Sequence, residues 1–520
     1  PVEHIDFSQP LNPDSVPQDG WVEQAYLVPG FFTDDVYPEA WRHGRSGWTR
    51  TRFTLPELPT GQRFYLTVQG AIPQAHLFVN GQRIAIQDDM FIGEPLDVTD
   101  ALRQGENELA ILLTEFRAFP DPRSGEASLI DVPWGCCISL HQAGLWQDII
   151  LERRPEVHVS DVTIRPSVRE NSLTVITEVR NAGSAPFEGL LNGRVTQGDE
   201  TALMLPVLDI SLAAGETRTF TQTVAWSDYR PWFPEDPQLY YLQSQVRDGQ
   251  GMVDSKQTQF GFRELWIEGH RILLNGRPQR WYGEWGHKTH AHWLRPEYVR
   301  QWYQQLKDLN MNYVRMHTFP HPEFMLDMAD EMGIMICQES ALYGSGVFAL
   351  DTPNLWQQAR EHVRRMVWRD KNHPSLVIWS VENEMRWALG TMPQAKDELP
   401  KLRELFHQLD PTRPAYHEGD SSLWNEDEQD VISRHYGPAC HGMGWWDKRI
   451  PLHAGEMGRW HYASPFVALQ WAGDEVYTDY ATLTRSLSLD AARIVELGRA
   501  NEVSCLFIWN TSGLDNFRPA

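Results

Sequence analysis

Residues 376–385 read LVIWSVENEM, a run of apolar side chains broken only by Ser380 that ends in the acidic and amide groups of Glu382, Asn383 and Glu384. So short and apolar a run reads as a strand buried on both faces of a parallel sheet. Polar residues at its carboxyl end then belong to the mouth of the sheet, where barrel enzymes build their sites. The same rhythm recurs on either side. RWYGEWG (280–286), NYVRMH (312–317) and GIMICQES (333–340) precede it, and RPAYHEGD (413–420), DVISRHYG (430–437), IPLHAGEMG (450–458) and SCLFIWN (504–510) follow. Amphipathic stretches such as PEFMLDMADEMG (322–333) and LWQQAREHVRRMVWRD (355–370) separate them. Eight strand candidates mostly alternating with helices over about 255 residues predict a (β/α)8 TIM barrel. One helix is missing from the pattern: residues 438–449, between strands six and seven, are Gly-, Trp- and His-rich and predict a loop over the mouth.

Upstream the periodicity changes. From Trp48 to about Arg154 short alternating segments (GWTRTRFTL, RFYLTVQG, AHLFVNGQRIAI, NELAILLTEF, DIILERRP) are separated by turn residues, with Asn80–Gly81 as a hairpin signal. They predict a jelly-roll-like β-sandwich. A second β-rich stretch from about Glu156 to Phe260 has the strand spacing of an immunoglobulin-like β-sandwich, and the prolines at 231, 234 and 237 mark it off. The expected division of this multidomain chain is therefore 1–154 for a sugar-binding-like sandwich, 155–260 for an immunoglobulin-like one, and 261–520 for a catalytic barrel.

Bulk composition narrows the function. The 520 residues carry 46 Lys plus Arg against 70 Asp plus Glu, a net charge of −24, which disfavours nucleic acid as a partner. No apolar run approaches the roughly 20 residues of a membrane helix, so no membrane partner is expected. The 22 Trp suit the apolar faces of sugars as well as packing. Five cysteines (136, 137, 337, 440, 505) lack the spacing of a disulfide framework or a zinc site. The chain starts at Pro1 without a signal-type segment, as if processed or trimmed; compartment stays open, with a periplasmic or secreted setting favoured over a cytoplasmic one.

Read in order, the strand ends supply Glu284 and His287, Arg315 and His317, Glu339, Asn383 and Glu384, Glu418, His435 and Tyr436, Glu456, and Trp509 with Asn510. Strands four and seven lie on opposite sides of an eight-stranded ring, so Glu384 and Glu456 can face each other. Glycoside hydrolysis needs such a pair, one carboxylic acid to protonate the leaving oxygen and one carboxylate to attack or to direct water.

Several stretches, in order and spacing, resemble the glycoside hydrolase family 2 enzymes: GLWQDIILE (144–152), NYVRMHTFPHPEFMLDMADEMGIMI (312–336), RRMVWRDKNHPSLVIWSVENE (364–384), DVISRHY (430–436), PLHAGEMG (451–458) and FIWN (507–510). The resemblance covers nearly the whole chain. It implies a retaining, exo-acting β-glycosidase with Glu384 as acid/base, Glu456 as nucleophile and Asn383 as donor to the sugar 2-hydroxyl. Tyr436 is then expected to hydrogen-bond the nucleophile, Arg315 to add positive charge beside it, His435 to contact substrate and Trp509 to floor the sugar site. His317 and Glu339 complete the expected substrate-binding set.

The chain departs from well-known members at Arg315-Met316-His317-Thr318, where many show Arg-Thr-Ser-His; the imidazole moves one position along, toward the opposite side of the strand. An Asn-x-Lys element that reads a sugar carboxylate in the family's β-glucuronidases is absent after Glu456, leaving Arg386, Arg459 or His287 to bind an acidic or sulfated sugar. A β-galactosidase-type specificity is favoured, with β-glucuronidase, β-galacturonidase or another β-glycosidase as alternatives. A non-catalytic carbohydrate-binding protein is the alternative of another class. His287, His290 and His292 are expected to be loop residues near substrate; no metal and no cofactor are expected. The partner is an oligosaccharide or polysaccharide-derived β-glycoside, with a homo-oligomer open. Family members often continue into further β-domains after the barrel, whereas this chain stops at Ala520, read as a short member or a trimmed chain.

Overall fold

The computed structural model describes residues 46–114, 131–135, 144–286, 295–345, 350–436, 443–457 and 465–508. In the first sandwich the strands Ser46–Leu55, Gly105–Thr114, Gln74–Val79 and Gln82–Gln87 form one antiparallel sheet, facing a sheet of Leu96–Asp97, Gln62–Val68 and Ile149–Pro155. Asn80 and Gly81 both take positive φ (49° and 80°), the two-residue hairpin that Asn-Gly favours. Every second residue of three strands enters the core: Phe64, Leu66 and Val68; Leu77 and Val79; Leu109, Ile111 and Leu113.

The middle domain packs Val157–Ser167, Ser172–Asn181 and Thr217–Ala225 against a sheet built on Phe187–Gln197, Tyr240–Asp248 and Gly251–Phe260. Glu200–Met204 and Leu208–Leu212 pair along Phe187–Gln197. Glu200–Met204 and Gly251–Phe260 escape the sequence reading because nearly all their residues are exposed or half-buried, which erases the alternation, whereas Leu208–Leu212 alternates but is only five residues long.

The barrel strands are β1 (Trp281–Gly286), β2 (Tyr313–Met316), β3 (Met335–Glu339), β4 (Leu376–Asn383), β5 (Ala415–Glu418), β6 (Ile432–His435), β7 (Leu452–Met457) and β8 (Cys505–Ile508). Helices α1 (Pro296–Asp308), α2 (Glu323–Met332), α3 (Pro353–Asp370), α4 (Ala395–Leu409), α5 (Pro465–Ala472) and α6 (Tyr480–Asn501) surround them. All eight strands named from sequence are present and parallel, laddered in the order β5-β4-β3-β2-β1-β8-β7-β6. The ring stays unladdered between β5 and β6, where side chains bridge instead: the Gly419 amide donates to Ser433 Oγ at 3.0 Å, which donates to Glu418 Oε1 at 2.7 Å. Two 3-10 turns, Ser421–Leu423 and Glu426–Glu428, replace a helix at this seam, a second irregularity the sequence reading did not separate. A three-stranded antiparallel sheet, Leu265–Glu268, Arg271–Leu274 and Arg277–Gln279, was also unforeseen; Leu265, Ile272 and Leu274 share a core with Trp281, Met335 and Ile378 of the barrel. No described helix is long and apolar enough to cross a membrane. Cys337 and Cys505 are buried free thiols, and the other three cysteines lie outside the described residues.

Both sandwiches dock on the barrel through specific contacts. Phe91 of the first stacks on Phe319 at 5.2 Å, and Asp89 Oδ2 meets His362 Nδ1 at 2.8 Å. For the middle domain, Asn372 accepts from the Ile164 amide at 2.9 Å and donates to the Val162 carbonyl at 2.7 Å. A cavity of about 580 Å³ opens among the three domains, lined by Gln147, Arg154, Lys256 and Asp327. It lies away from the barrel mouth, and in its wall Arg154 is paired with Glu152 at 2.6 Å.

Candidate active site

Arg315, at the end of β2, organises the mouth. Its fully buried guanidinium spans three strands: two 3.1 Å bonds to Glu339 on β3, one of 3.1 Å to Glu456 Oε1 on β7, and a 3.3 Å approach to Glu418 on β5. It also donates to Asn383 Oδ1. A buried cation is tolerable only when so enclosed, because its lost hydration must be replaced by carboxylates. Bonding the Asn383 oxygen also fixes the amide orientation, leaving its NH2 as the group to donate.

Glu456 is gripped from several sides. Tyr436 donates its hydroxyl to Oε2, Arg315 holds Oε1, and His317 Nε2 and His435 Nδ1 stand at 3.7 Å and 3.5 Å. Burial raises its pKa; His435 and Arg315 pull the other way, and the charge of Glu384 adds to the rise. Glu384 follows β4 with Oε1 at 2.8 Å from His435 Nδ1 and Oε2 accepting from Ser345 Oγ at 2.9 Å. Burial pushes its carboxyl up, but His435 and Ser345 win and hold it down at about 2. Oxygens of Glu384 and Glu456 and a ring nitrogen of His435 all lie within 4.8 Å of one another.

His435 also points Nε2 at Glu418 Oε1, 2.7 Å away. Burial would discharge the ring, yet Glu456, Glu384 and Glu418 around it raise its pKa well above the usual imidazole range. It is an imidazolium among three carboxylates. Glu418, despite complete burial, is held well below the usual carboxylate range by Arg315 and the histidines. Glu339, buried beside Glu418, is pushed up to about 7 against the pull of Arg315.

Backbone conformation aims these groups. Thr318, Glu384 and Tyr436, following β2, β4 and β6, have φ of 64°, 52° and 51°. Left-handed backbone in such residues costs on the order of 1–3 kcal/mol each and survives where surroundings enforce it. Here the amides do so, bonding Glu339 Oε1 (2.6 Å), the Glu418 carbonyl (3.1 Å) and the Glu456 carbonyl (2.6 Å) respectively. The buried Glu382 closes the turn at Glu384 by accepting from the Met385 amide at 3.0 Å.

The structure thus brings Arg315, His317, Glu339, Asn383, Glu384, His435, Tyr436 and Glu456 together. Three of them stand elsewhere than the substrate contact expected. Arg315 and Glu339 are sealed beneath the mouth, because each is the other's counter-ion. Both nitrogens of His435 are occupied by carboxylates. Despite its shifted position His317 still reaches Glu456, being two residues from Arg315 and so on the same strand face, with its ring edge-on to Trp285 at 5.0 Å. Glu284 alternates to the outside of β1, where it accepts from Trp302 of α1 at 3.3 Å. Trp509, Asn510, Arg459 and the histidines at 287, 290 and 292 lie outside the described residues.

Sequence reasoning ranked Glu418 only among the strand ends and missed Ser345, Ser433 and Ser380, whose hydroxyl donates to Glu339 Oε2 at 2.6 Å. One signal for Glu418 was available in Gly455 beside the glutamate of β7: a Cβ there would lie 1.9 Å from Glu418 Oε1. Gly455→Ala should therefore displace Glu418, with a stability loss of about 1–3 kcal/mol by thermal unfolding and a fall in turnover beyond what that loss explains.

Two clusters among the described residues could offer three ligand atoms to a metal: Glu384, His435 and Glu456 at the mouth, and Asp327, Asp330 and His373 on the barrel's outer wall. In the second, Asp330 already meets His373 Nδ1 at 2.6 Å and accepts from the Ser375 amide at 2.9 Å.

Family models match three stretches in turn: the glycosyl hydrolase 2 galactose-binding domain-like model at 25–145, glycosyl hydrolases family 2 at 157–263, and the glycosyl hydrolases family 2 TIM barrel domain at 263–449. A β-galactosidase of Photobacterium profundum is 26% identical over an alignment of 416 positions that covers 75% of this chain and 37% of that protein. The chain thus spans a little over a third of the length of that curated relative. Among solved structures, a family 2 β-galacturonidase from Eisenbergiella tayi superposes with a TM-score of 0.72 at 22% identity, covering 93% of this chain and 84% of the other. A Bacteroides uniformis β-glucuronidase gives 0.65 at 20% identity over 80% and 53%.

Proposed function

The chain belongs to glycosyl hydrolase family 2, and on that premise we propose that it is an exo-acting, retaining β-glycoside hydrolase working by double displacement through Glu456 and Glu384. The observation that carries this reading is the approach of their carboxylate oxygens to within 4.8 Å. Retaining enzymes hold their carboxyl groups about 5–5.5 Å apart, whereas inverting enzymes leave about 6.5–9.5 Å for a water.

Glu456, turned by Tyr436 and Arg315, attacks the anomeric carbon while Glu384 passes a proton to the departing oxygen. Asn383 donates to the sugar 2-hydroxyl, a bond that strengthens as positive charge develops on the ring. Once Glu456 is esterified, Glu384 is the base for the attacking water. Proton magnetic resonance of the first-formed sugar should show retained β configuration; an α product would sink the double displacement.

For the sugar, a neutral β-galactoside is the preferred reading. Among the described residues the cations Arg315, His435 and Arg386 are all tied to carboxylates of the protein, the last to Asp420 and the Gly419 carbonyl. That leaves them poorly placed to meet a sugar carboxylate. A panel of nitrophenyl β-glycosides including galactoside, glucuronide, galacturonide and mannoside tests this. Galactoside turnover at least about tenfold above the uronides is expected, a gap of about 1.4 kcal/mol; the reverse order selects the acidic sugars.

A further inference from the structure

Resting on Glu384 as acid/base, we propose that His435 stores the proton that Glu384 delivers to the leaving oxygen, its Nδ1 standing 2.8 Å from Glu384 Oε1 and 3.5 Å from Glu456 Oε2. An acid must carry a proton when the glycosidic bond breaks, yet the bonds from His435 and Ser345 hold Glu384 ionised. The proton on this pair sits on the imidazole.

The ring is enclosed by Glu384 after β4, Glu418 on β5 and Glu456 on β7, with Tyr436 next in sequence and Asp420 close enough to feel its charge. Arg315 is the opposing cation behind Glu418 and Glu456. Gly419 lies under the ring, where a Cβ would come within 2.9 Å of it, so the imidazole is confined to this bridging pose.

The timing follows from Glu456. As its oxygen bonds to the anomeric carbon, the carboxylate becomes a neutral ester, and one of the three negative charges that stabilise the imidazolium disappears. His435 then gives its Nδ1 proton to Glu384 Oε1 while Glu384 protonates the oxygen that takes the electron pair of the breaking bond. Charge balances: imidazolium plus Glu456 carboxylate become neutral imidazole plus ester, with Glu384 ionised before and after. In the second step the attacking water gives a proton to Glu384 and on to His435, as the departing ester oxygen restores the Glu456 charge.

The test compares His435→Gln, His435→Asn and Glu384→Gln on phenyl and 2,4-dinitrophenyl β-glycosides of whichever sugar turns over, the dinitrophenolate needing no proton. Both His435 variants should lose about 100-fold or more in kcat/KM on the phenyl glycoside and no more than about fivefold on the dinitrophenyl one. The basic limb of their pH profile should move to lower pH, since Glu384 must then hold the proton itself. Equal losses on both substrates, or an unmoved limb, would overturn the role of His435 if Glu384→Gln still shows the leaving-group dependence. If Glu384→Gln shows none, the acid/base assignment fails and the stored proton with it. Retained dinitrophenyl turnover also reports that the variants are folded.

Discussion

Glu456→Gln should lower kcat by about four orders of magnitude or more, the scale on which removal of a nucleophile acts, while the sugar's dissociation constant changes by less than about tenfold. The amide keeps the shape of the carboxylate but cannot form the ester, and its NH2 would confront the donor of either Arg315 or Tyr436. Steady-state kinetics and calorimetric binding of the product sugar check the two halves separately. A carbohydrate-binding protein without catalysis would show no turnover to lose; unchanged turnover would remove the nucleophile assignment.

Arg315→Met should be the most destabilising single change at the mouth, by about 3–5 kcal/mol near pH 8, because it strands Glu339, Glu418 and Glu456 without their shared cation. The pH dependence has a definite sign. In the wild type, Glu418 has a folded pKa below its unfolded value of about 4.3. Its contribution is present above that value and is lost as pH falls through the folded pKa. In the variant the folded pKa of Glu418 rises above about 4.3 and those of Glu339 and Glu456, already raised in the wild type, rise further, so the folded form binds extra protons and stability falls as pH climbs through the new window. The gap in unfolding midpoint between wild type and variant should accordingly widen from pH 5 to pH 8. A gap that is constant, or larger at pH 5, would contradict the enclosure described for Arg315.

Much of this was legible in the sequence because parallel barrel strands are buried on both faces. Runs such as LVIWSVEN stand out against amphipathic helices, and polar residues at their ends have one place to go. Asn80–Gly81 was legible because its backbone requirement is local. What stayed hidden depends on approach between distant strands. That His435 would turn both nitrogens to carboxylates follows from the unladdered seam between β5 and β6, where Ser433 and Glu418 take over from backbone bonds. Glu284 was misplaced because residue order alone does not say which parity of β1 faces inward; Trp281 and Trp285 take the interior and send it to α1. The left-handed turns at Thr318, Glu384 and Tyr436 are imposed by partners on neighbouring strands, and no residue at those positions advertises them.

The proposed double displacement passes through a covalent sugar on one carboxylate, that of Glu456. The enzyme should be incubated with the 2-deoxy-2-fluoro 2,4-dinitrophenyl β-glycoside of its substrate sugar, which slows the second displacement, then digested and mapped by mass spectrometry. The expected result is one fluorosugar per chain, attached at Glu456 in the peptide containing His453–Met457. Labelling at Glu384 or Glu418, or turnover with an inverted product and no adduct, would contradict it.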